Sequence, residues 1–216
     1  LTPRFLNSLS VKIETSKSAM KLQKQYIEKY NRPETVAVIS LYPKKGEVYS
    51  QGASGVASYS KNVVKHMQRS VVVLADKWGT QKSYEEKNSV VFRVWRKNNS
   101  RMWTEIYDVL RQLPKIKTLL IHFDFSMYGS ILTSGLMMPF LALLKARGYH
   151  IVVVSHHVIR NVQTLSGQVD LGQGLNALIK TGIYNNVFTM FYWMLGRLSD
   201  NVIVLEETLK NRLDSL

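Results

Sequence analysis

A chain of 216 residues, 45% of them hydrophobic and 20% charged, is long and apolar enough to bury one sizeable core. It contains no cysteine, which excludes disulfides, a cysteine nucleophile and thiolate-held metals, and fits a reducing, cytoplasmic setting. A net charge of +14 attracts polyanions (nucleic acid, anionic lipid headgroups or phosphorylated substrates) without choosing among them.

Residues 1–32 read as a basic extension, helical and solvated, ending at Arg32-Pro33 because proline disfavours helix in the residue before it. The chain opens at Leu1 without a signal-type apolar run behind a basic start, and reads as a trimmed piece. From residue 33 onward it alternates. Residues 36–41 (Val-Ala-Val-Ile-Ser-Leu) form an apolar strand, and a long loop follows with Pro43, Gly46, Gly52 and Gly55. Val56, Tyr59, Val63, Val64 and Met67 recur at helical spacing. Strands are expected at 70–75 and 89–95, and then a helix carrying Trp103, Ile106, Tyr107, Leu110 and Leu113 on one face. A strand at 118–123 is followed by a helix at 134–146, which Gly148 caps at its C-terminal end. The remainder reads as a strand at 151–155, a polar stretch at 160–174, a helix at 175–198 with a break near Gly182, a strand at 201–205 and a last helix from 206.

Strands that are apolar on both faces and alternate with helices predict an α/β fold, a Rossmann-like doubly wound, mostly parallel sheet with helices on both faces. Ligands of such folds bind beyond the C-terminal ends of the strands. That rule points to 42–55, Asp76–Trp78, the segment from Asp124 to Gly129, and 156–158. No run reaches the about 20 apolar residues of a membrane-spanning helix. The longest, 187–195, is read as buried helix ahead of a helix lying on a membrane.

Gly52-Ala53-Ser54-Gly55 sits between the first strand and the first helix, where small residues and free backbone N–H groups suit a phosphate or a closely approaching ligand. It is neither a dinucleotide fingerprint nor a P-loop, and a surface loop capped by Ser54 accounts for it equally well. His156 and His157 follow a strand directly, and adjacent strand residues face opposite sides, so one of them at most enters a given cleft. An imidazole there can bind a hydroxyl or phosphate, or transfer a proton. With no third ligand at short spacing, no metal is expected. Asp124 and Ser126 are candidates for binding an acceptor hydroxyl and the nearby aromatics for stacking on a sugar; a helix-capping turn is the plainer reading, above all for Ser126. The G-x-S-x-G elbow of a serine hydrolase is missing. Basic residues across 82–97, Arg93 and Arg96 among them, and those of the N-terminal stretch are expected to form solvated faces, with anionic lipid or nucleic acid as partners if they bind anything.

Three stretches carry a resemblance. Gly52-Ala53-Ser54-Gly55-Val56-Ala57-Ser58-Tyr59 is similar to the Gly-Gly-[Ile/Val]-Ala-x-Tyr entry of family 4 glycosyltransferase N-domains. Ile151-Val152-Val153-Val154-Ser155-His156-His157 resembles that family's strand ending in His-Asp or His-His. Leu198-Ser199-Asp200-Asn201-Val202-Ile203-Val204-Leu205 is similar to its Ala-Asp-x-Val-Ile-Val strand. Together with Leu120-Ile121-His122-Phe123 they span about 36–213 in the family's order. The chain departs from the pattern at Leu205-Glu206, where the family has a polar pair, and at Ala53-Ser54, where it often has paired glycines.

The resemblance implies the N-terminal, acceptor-binding half of a GT-B glycosyltransferase that transfers a sugar with retention from a nucleotide-sugar donor, without a metal or other cofactor. It implies His157 beside the transferred sugar as the catalytic residue. Gly52 and Gly55 lie near donor phosphate and acceptor, and Ser54, Asp124, Ser126 and His156 are substrate-binding candidates. The implied partners are the donor, a glycan or lipid-linked acceptor, an anionic membrane touched peripherally, and a C-terminal donor domain that would follow Leu216. The alternative is a non-catalytic basic α/β module for nucleic acid or another polyanion.

Overall fold

The computed structural model describes residues 21–47, 54–79, 83–159, 161–165 and 174–214. Among them seven strands form one sheet in the order β3-β4-β2-β1-β5-β6-β7. They are β1 (Val36–Ser40), β2 (Val71–Asp76), β3 (Tyr84–Glu86), β4 (Ser89–Trp95), β5 (Thr118–Phe123), β6 (His150–Ser155) and β7 (Asn201–Val204). Every pairing is parallel except that of β3 with β4. The helices are α1 (Lys24–Tyr30), α2 (Gly55–His66), α3 (Met102–Leu110), α4 (Phe125–Tyr128), α5 (Ile131–Gly135), α6 (Met137–Ala146), α7 (Gly174–Leu198) and α8 (Glu207–Asp214). This is the expected Rossmann-like, doubly wound α/β fold.

The two-residue period of a strand decides which helix each side chain meets. Val36, Val38, Val71, Val73, Ala75, Leu120 and Val154 join the cluster on the α2 side, with Val64 and Tyr59. Their alternates Ala37, Ile39, Val72, Leu74, Leu119, Ile121, Ile151 and Val153 join the larger cluster with α1, α3, α6 and α7. Both faces are therefore covered, which is why the strands read as unbroken apolar runs. The chain builds outward from β1 through β2 to β4, then returns to β5 on the other side. The topological switch lies between β1 and β5, and ligand sites of such sheets open there.

Four elements differ from the sequence reading. Strand β3 was not expected: it has three residues and turns back to β4 through Lys87-Asn88, with Lys87 at φ 44° in place of the usual glycine. The helix expected at 134–146 is two helices. Pro139 has no N–H for the carbonyl of Gly135, and its ring crowds that carbonyl, so α5 ends and α6 begins across Leu136. Helix α7 runs through Gly182 without a break, because a lone glycine weakens a helix without ending it. Helix α1 is docked rather than solvated: Tyr30 and Leu22 are buried and Tyr26 meets Phe92 edge-on. The expected cap holds, with Gly148 at φ +72° just past α6.

The run at 187–195 has two apolar sides. Phe188, Phe191, Tyr192 and Leu195 are buried, while Val187, Met190 and Trp193 are exposed. No helix among the described residues is long and apolar enough to cross a membrane.

One glycine fixes the loop after β5. Gly129 has φ +119°, and a Cβ there would lie 2.1 Å from Asn98 Oδ1 and 2.7 Å from the Asn98 backbone nitrogen. That nitrogen donates to the Tyr128 carbonyl at 3.0 Å. Gly129→Ala should lower the urea-unfolding free energy by about 1–3 kcal/mol through backbone strain, with the contact adding to it. An unchanged unfolding midpoint would contradict this account of the turn.

Candidate functional site

The site grows from two adjacent parallel strands, β5 and β6, whose register sets Phe123 beside Ser155. His122 continues the α2-side face of β5 and His156 that of β6. The two rings stack with centroids 5.3 Å apart, and His122 Nδ1 lies 3.0 Å from His156 Nε2. Tyr59 of α2 meets both rings edge-on, at 5.6 and 5.2 Å. One of two imidazoles sharing such a bond must donate and the other accept, so the two rings cannot both carry a positive charge while it lasts. Burial, with His156 beside it, pushes the His122 pKa down to about 3. Burial also lowers that of His156, against the pull of Asp124 and with the push of His157. His122 Nε2 is buried and has no hydrogen-bond partner.

This pair makes stability depend on pH. Above pH 6.5, the ordinary histidine value, neither the folded nor the unfolded chain protonates His122. Between 6.5 and about 3 the unfolded chain takes a proton that the folded chain refuses, so stability falls as pH drops through that window. The slope approaches about 1.4 kcal/mol per pH unit for each such histidine. The urea midpoint should fall between pH 7.5 and pH 5, and should fall less in His122→Gln. The same fall in both proteins would show that His122 is not its source.

One residue further on, the arrangement turns outward. Asp124 follows β5 in extended backbone and caps α4: its Oδ1 accepts from the Ser126 backbone N–H at 2.7 Å and from the Ser126 hydroxyl at 2.6 Å. Its Oδ2 pairs with His157 Nδ1. Burial would raise the Asp124 carboxyl, but the bonds from Ser126 and His157 outweigh it and hold the group below the usual carboxylate range. A carboxylate can only accept, so Nδ1 carries a proton, and the neutral tautomer this bond selects leaves Nε2 as an acceptor. The His157 side chain is 70% exposed, whereas Asp124 is buried. The backbone beneath is pinned as well: the His157 carbonyl accepts from Ser155 Oγ at 2.8 Å and from Tyr192 Oη at 3.1 Å. A fixed carboxylate, a fixed backbone and one open ring nitrogen make a positioned acceptor or proton carrier.

The expected site residues thus fall into separate roles. Asp124, Ser126 and His157 form one hydrogen-bonded group, and His156 belongs to the buried pair with His122. Ser126 is occupied by Asp124, the helix-capping arrangement that the sequence also allowed. Ser54 caps α2, its hydroxyl accepting from Ala57 N at 3.3 Å, with Gly55 opening that helix. Gly52 lies outside the described residues. The aromatics after β5 are packing residues rather than sugar platforms. Tyr128 is fully buried against Trp95 and Trp103, and Phe125 packs on Phe188 and Phe191.

Sequence reasoning missed His122 and Tyr59 as neighbours of the site. The same-face parity of residues 122 and 156 on paired strands was the available signal. It also placed Arg93 among the solvated cations. Arg93 is buried on β4, and its guanidinium donates to the carbonyls of Tyr42 (2.7 Å), Asp76 (3.1 Å) and Pro43. The reason is positional: β4 is an interior strand, covered on its outer side by β3.

Among the described residues no group of three or more histidine, aspartate or glutamate side chains is placed to hold a metal ion. Comparison of the chain with protein-family models, with curated proteins and with solved structures finds no match.

Proposed function

We propose that this chain is the acceptor-binding half of a retaining, nucleotide-sugar-dependent glycosyltransferase acting on a glycan or lipid-linked acceptor. The observation that carries the reading is the Asp124–His157 pair at the C-terminal ends of β5 and β6, one strand from the topological switch, with an open Nε2 and an anchored backbone. In this reading Nε2 of His157 accepts from a hydroxyl of the transferred sugar. Asp124 holds the ring in the tautomer that allows this and stabilises any positive charge it takes up. Ser126 holds Asp124. The first turn of α2 approaches the acceptor, and a second domain supplies the nucleotide site and the other wall of the cleft.

The test is product analysis. A protein joining this chain to its donor domain, given nucleotide sugar and acceptor, should yield a glycoside with the donor's anomeric configuration by NMR. The chain alone should give negligible turnover. Transfer by the chain alone at ordinary enzyme rates, or an inverted product, would overturn the reading.

A further inference from the structure

A second concave surface lies at the C-terminal ends of β1, β2 and β4, on the other side of β1 from His157. It is a cleft of about 580 Å³, within the range of small-molecule sites. Four cations line it: Lys44, Lys77, Arg96 and Lys97. Trp78 stands among them, 41% exposed, with Lys44 Nζ 5.6 Å from its ring centroid. A large aromatic left partly exposed in a cationic cleft is unusual for a packing residue, because burial would stabilise it, and among the described residues it keeps an open face.

The charges are not balanced from within. Lys44 reaches Glu47 only at 3.9 Å, and Lys77 pairs with Glu105 at 3.4 Å. Arg96 and Lys97 have no ion-pair partner among the described residues. Two carboxylates line the cleft as well: Glu47, beside Lys44, and Asp76, which is already compensated, accepting from Tyr42 N at 3.1 Å with Arg93 Nη1 at 3.6 Å. The Asp76 charge therefore repels an incoming anion weakly, and the four cations still outnumber the two carboxylates. Ser54 and Ala57 of α2 form another wall, and Tyr59, one half-turn on, touches His122 and His156. The first turns of α2 thus link this cleft to the β5–β6 site.

We infer that this cleft binds a glycosyl phosphate, with a sugar ring on the Trp78 face and the phosphate among Lys44, Arg96 and Lys97. The chemistry requires both features: a flat apolar sugar face for the indole, and a compact anion for guanidinium and ammonium donors. A nucleic-acid strand would call for a row of stacking rings along a basic track, whereas among the described residues the cleft offers one exposed ring, Trp78. On the transferase reading, on which the word acceptor rests, the ligand is a phosphorylated acceptor, free or carried on a lipid.

The test measures binding without turnover. The chain is titrated calorimetrically with the 1-phosphates of glucose, galactose, mannose and N-acetylglucosamine, with the free sugars, and with a farnesyl-linked glucosyl phosphate in detergent. At least one of these phosphates, soluble or farnesyl-linked, should bind saturably, at least about tenfold more tightly than its free sugar. Arg96→Ala with Lys97→Ala should remove that gain, Trp78→Ala should weaken binding several-fold, and Arg111→Ala, a cation outside the cleft, should leave it intact. All four positions are exposed, and circular dichroism checks that the variants fold. A gain confined to the farnesyl compound assigns the site to a lipid-borne phosphate, and an equal gain for the soluble 1-phosphates to a free one. Three results would overturn the inference: no phosphate-dependent gain, binding unchanged by the Arg96/Lys97 double variant, or tighter binding of a single-stranded oligonucleotide at the same residues. His157-dependent transfer without phosphate-dependent binding would sink this inference alone. Phosphate-dependent binding without transfer would sink the transferase reading and leave the cleft a glycosyl-phosphate site.

Discussion

On the proposed transferase reading, changing His157 to Ala in a protein joining this chain to a donor domain is expected to lower kcat by about 10²- to 10³-fold, the size of effect seen when one positioned hydrogen-bonding group is lost from a transition state. The expectation rests on geometry. The His157 ring is exposed, so its loss removes little packing; the fold should survive at a cost of no more than about 1–3 kcal/mol, set by the buried Asp124 carboxylate left without that partner. A steep loss of activity beside an intact fold is what separates a working side chain from a packing one. The fall should appear in kcat and in kcat/KM together, because an interaction made only in the transition state leaves ground-state binding unchanged. A rise in KM at constant kcat would instead make His157 a simple binding residue. Steady-state kinetics with saturating donor makes the distinction.

The second large effect concerns stability. Arg93→Met should cost about 3–5 kcal/mol in urea unfolding, the range for removing one member of a buried ion pair. Methionine roughly fills the space, so the loss is chiefly polar. The carbonyls of Tyr42, Pro43 and Asp76 lose their donor, and the buried Asp76 carboxylate loses its counter-charge. Burial already raises the Asp76 pKa, against the opposing pull of the Tyr42 N–H and Arg93, so without Arg93 it should take up a proton more readily. Adding Asp76→Asn to Arg93→Met should therefore recover part of the loss. A cost below about 1 kcal/mol for Arg93→Met, or no recovery in the pair, would show that the network contributes little. The network ties the residues after β1 to the end of β2 beneath the cationic cleft.

The two kinds of residue differ in how legible they are. Strands buried on both faces announce themselves as apolar runs, so β1, β2, β4, β5 and β6 and their parallel arrangement could be read directly. Strand β3 could not be, because three residues carry no period and Lys87-Asn88 is not a usual hairpin pair. Pro139 could have been used: its missing donor divides α5 from α6 at a predictable place. For the candidate site, the sequence pointed to the C-terminal ends of the strands and to Asp124, Ser126 and His157, which the structure places in one hydrogen-bonded group. It could not supply the Asp124–His157 pair, which joins residues 33 apart through the register of β5 on β6. Arg93 misled for a related reason. A cation in a basic stretch reads as solvated unless its strand is known to be interior, and that depends on β3. Cations are interpretable only once the sheet order is known. The order then buries Arg93 and leaves Arg96 and Lys97, a few residues on, lining an open cleft.

The measurement closest to the proposed function is a double-mutant cycle in the protein joined to a donor domain, comparing kcat/KM for His157→Ala, Asp124→Asn and the two combined. If Asp124 acts by holding the His157 ring, each single variant should be impaired and the combination no slower than His157→Ala alone, since the carboxylate has nothing left to orient. Losses that multiply, or wild-type transfer by either single variant, would contradict a catalytic role for the pair.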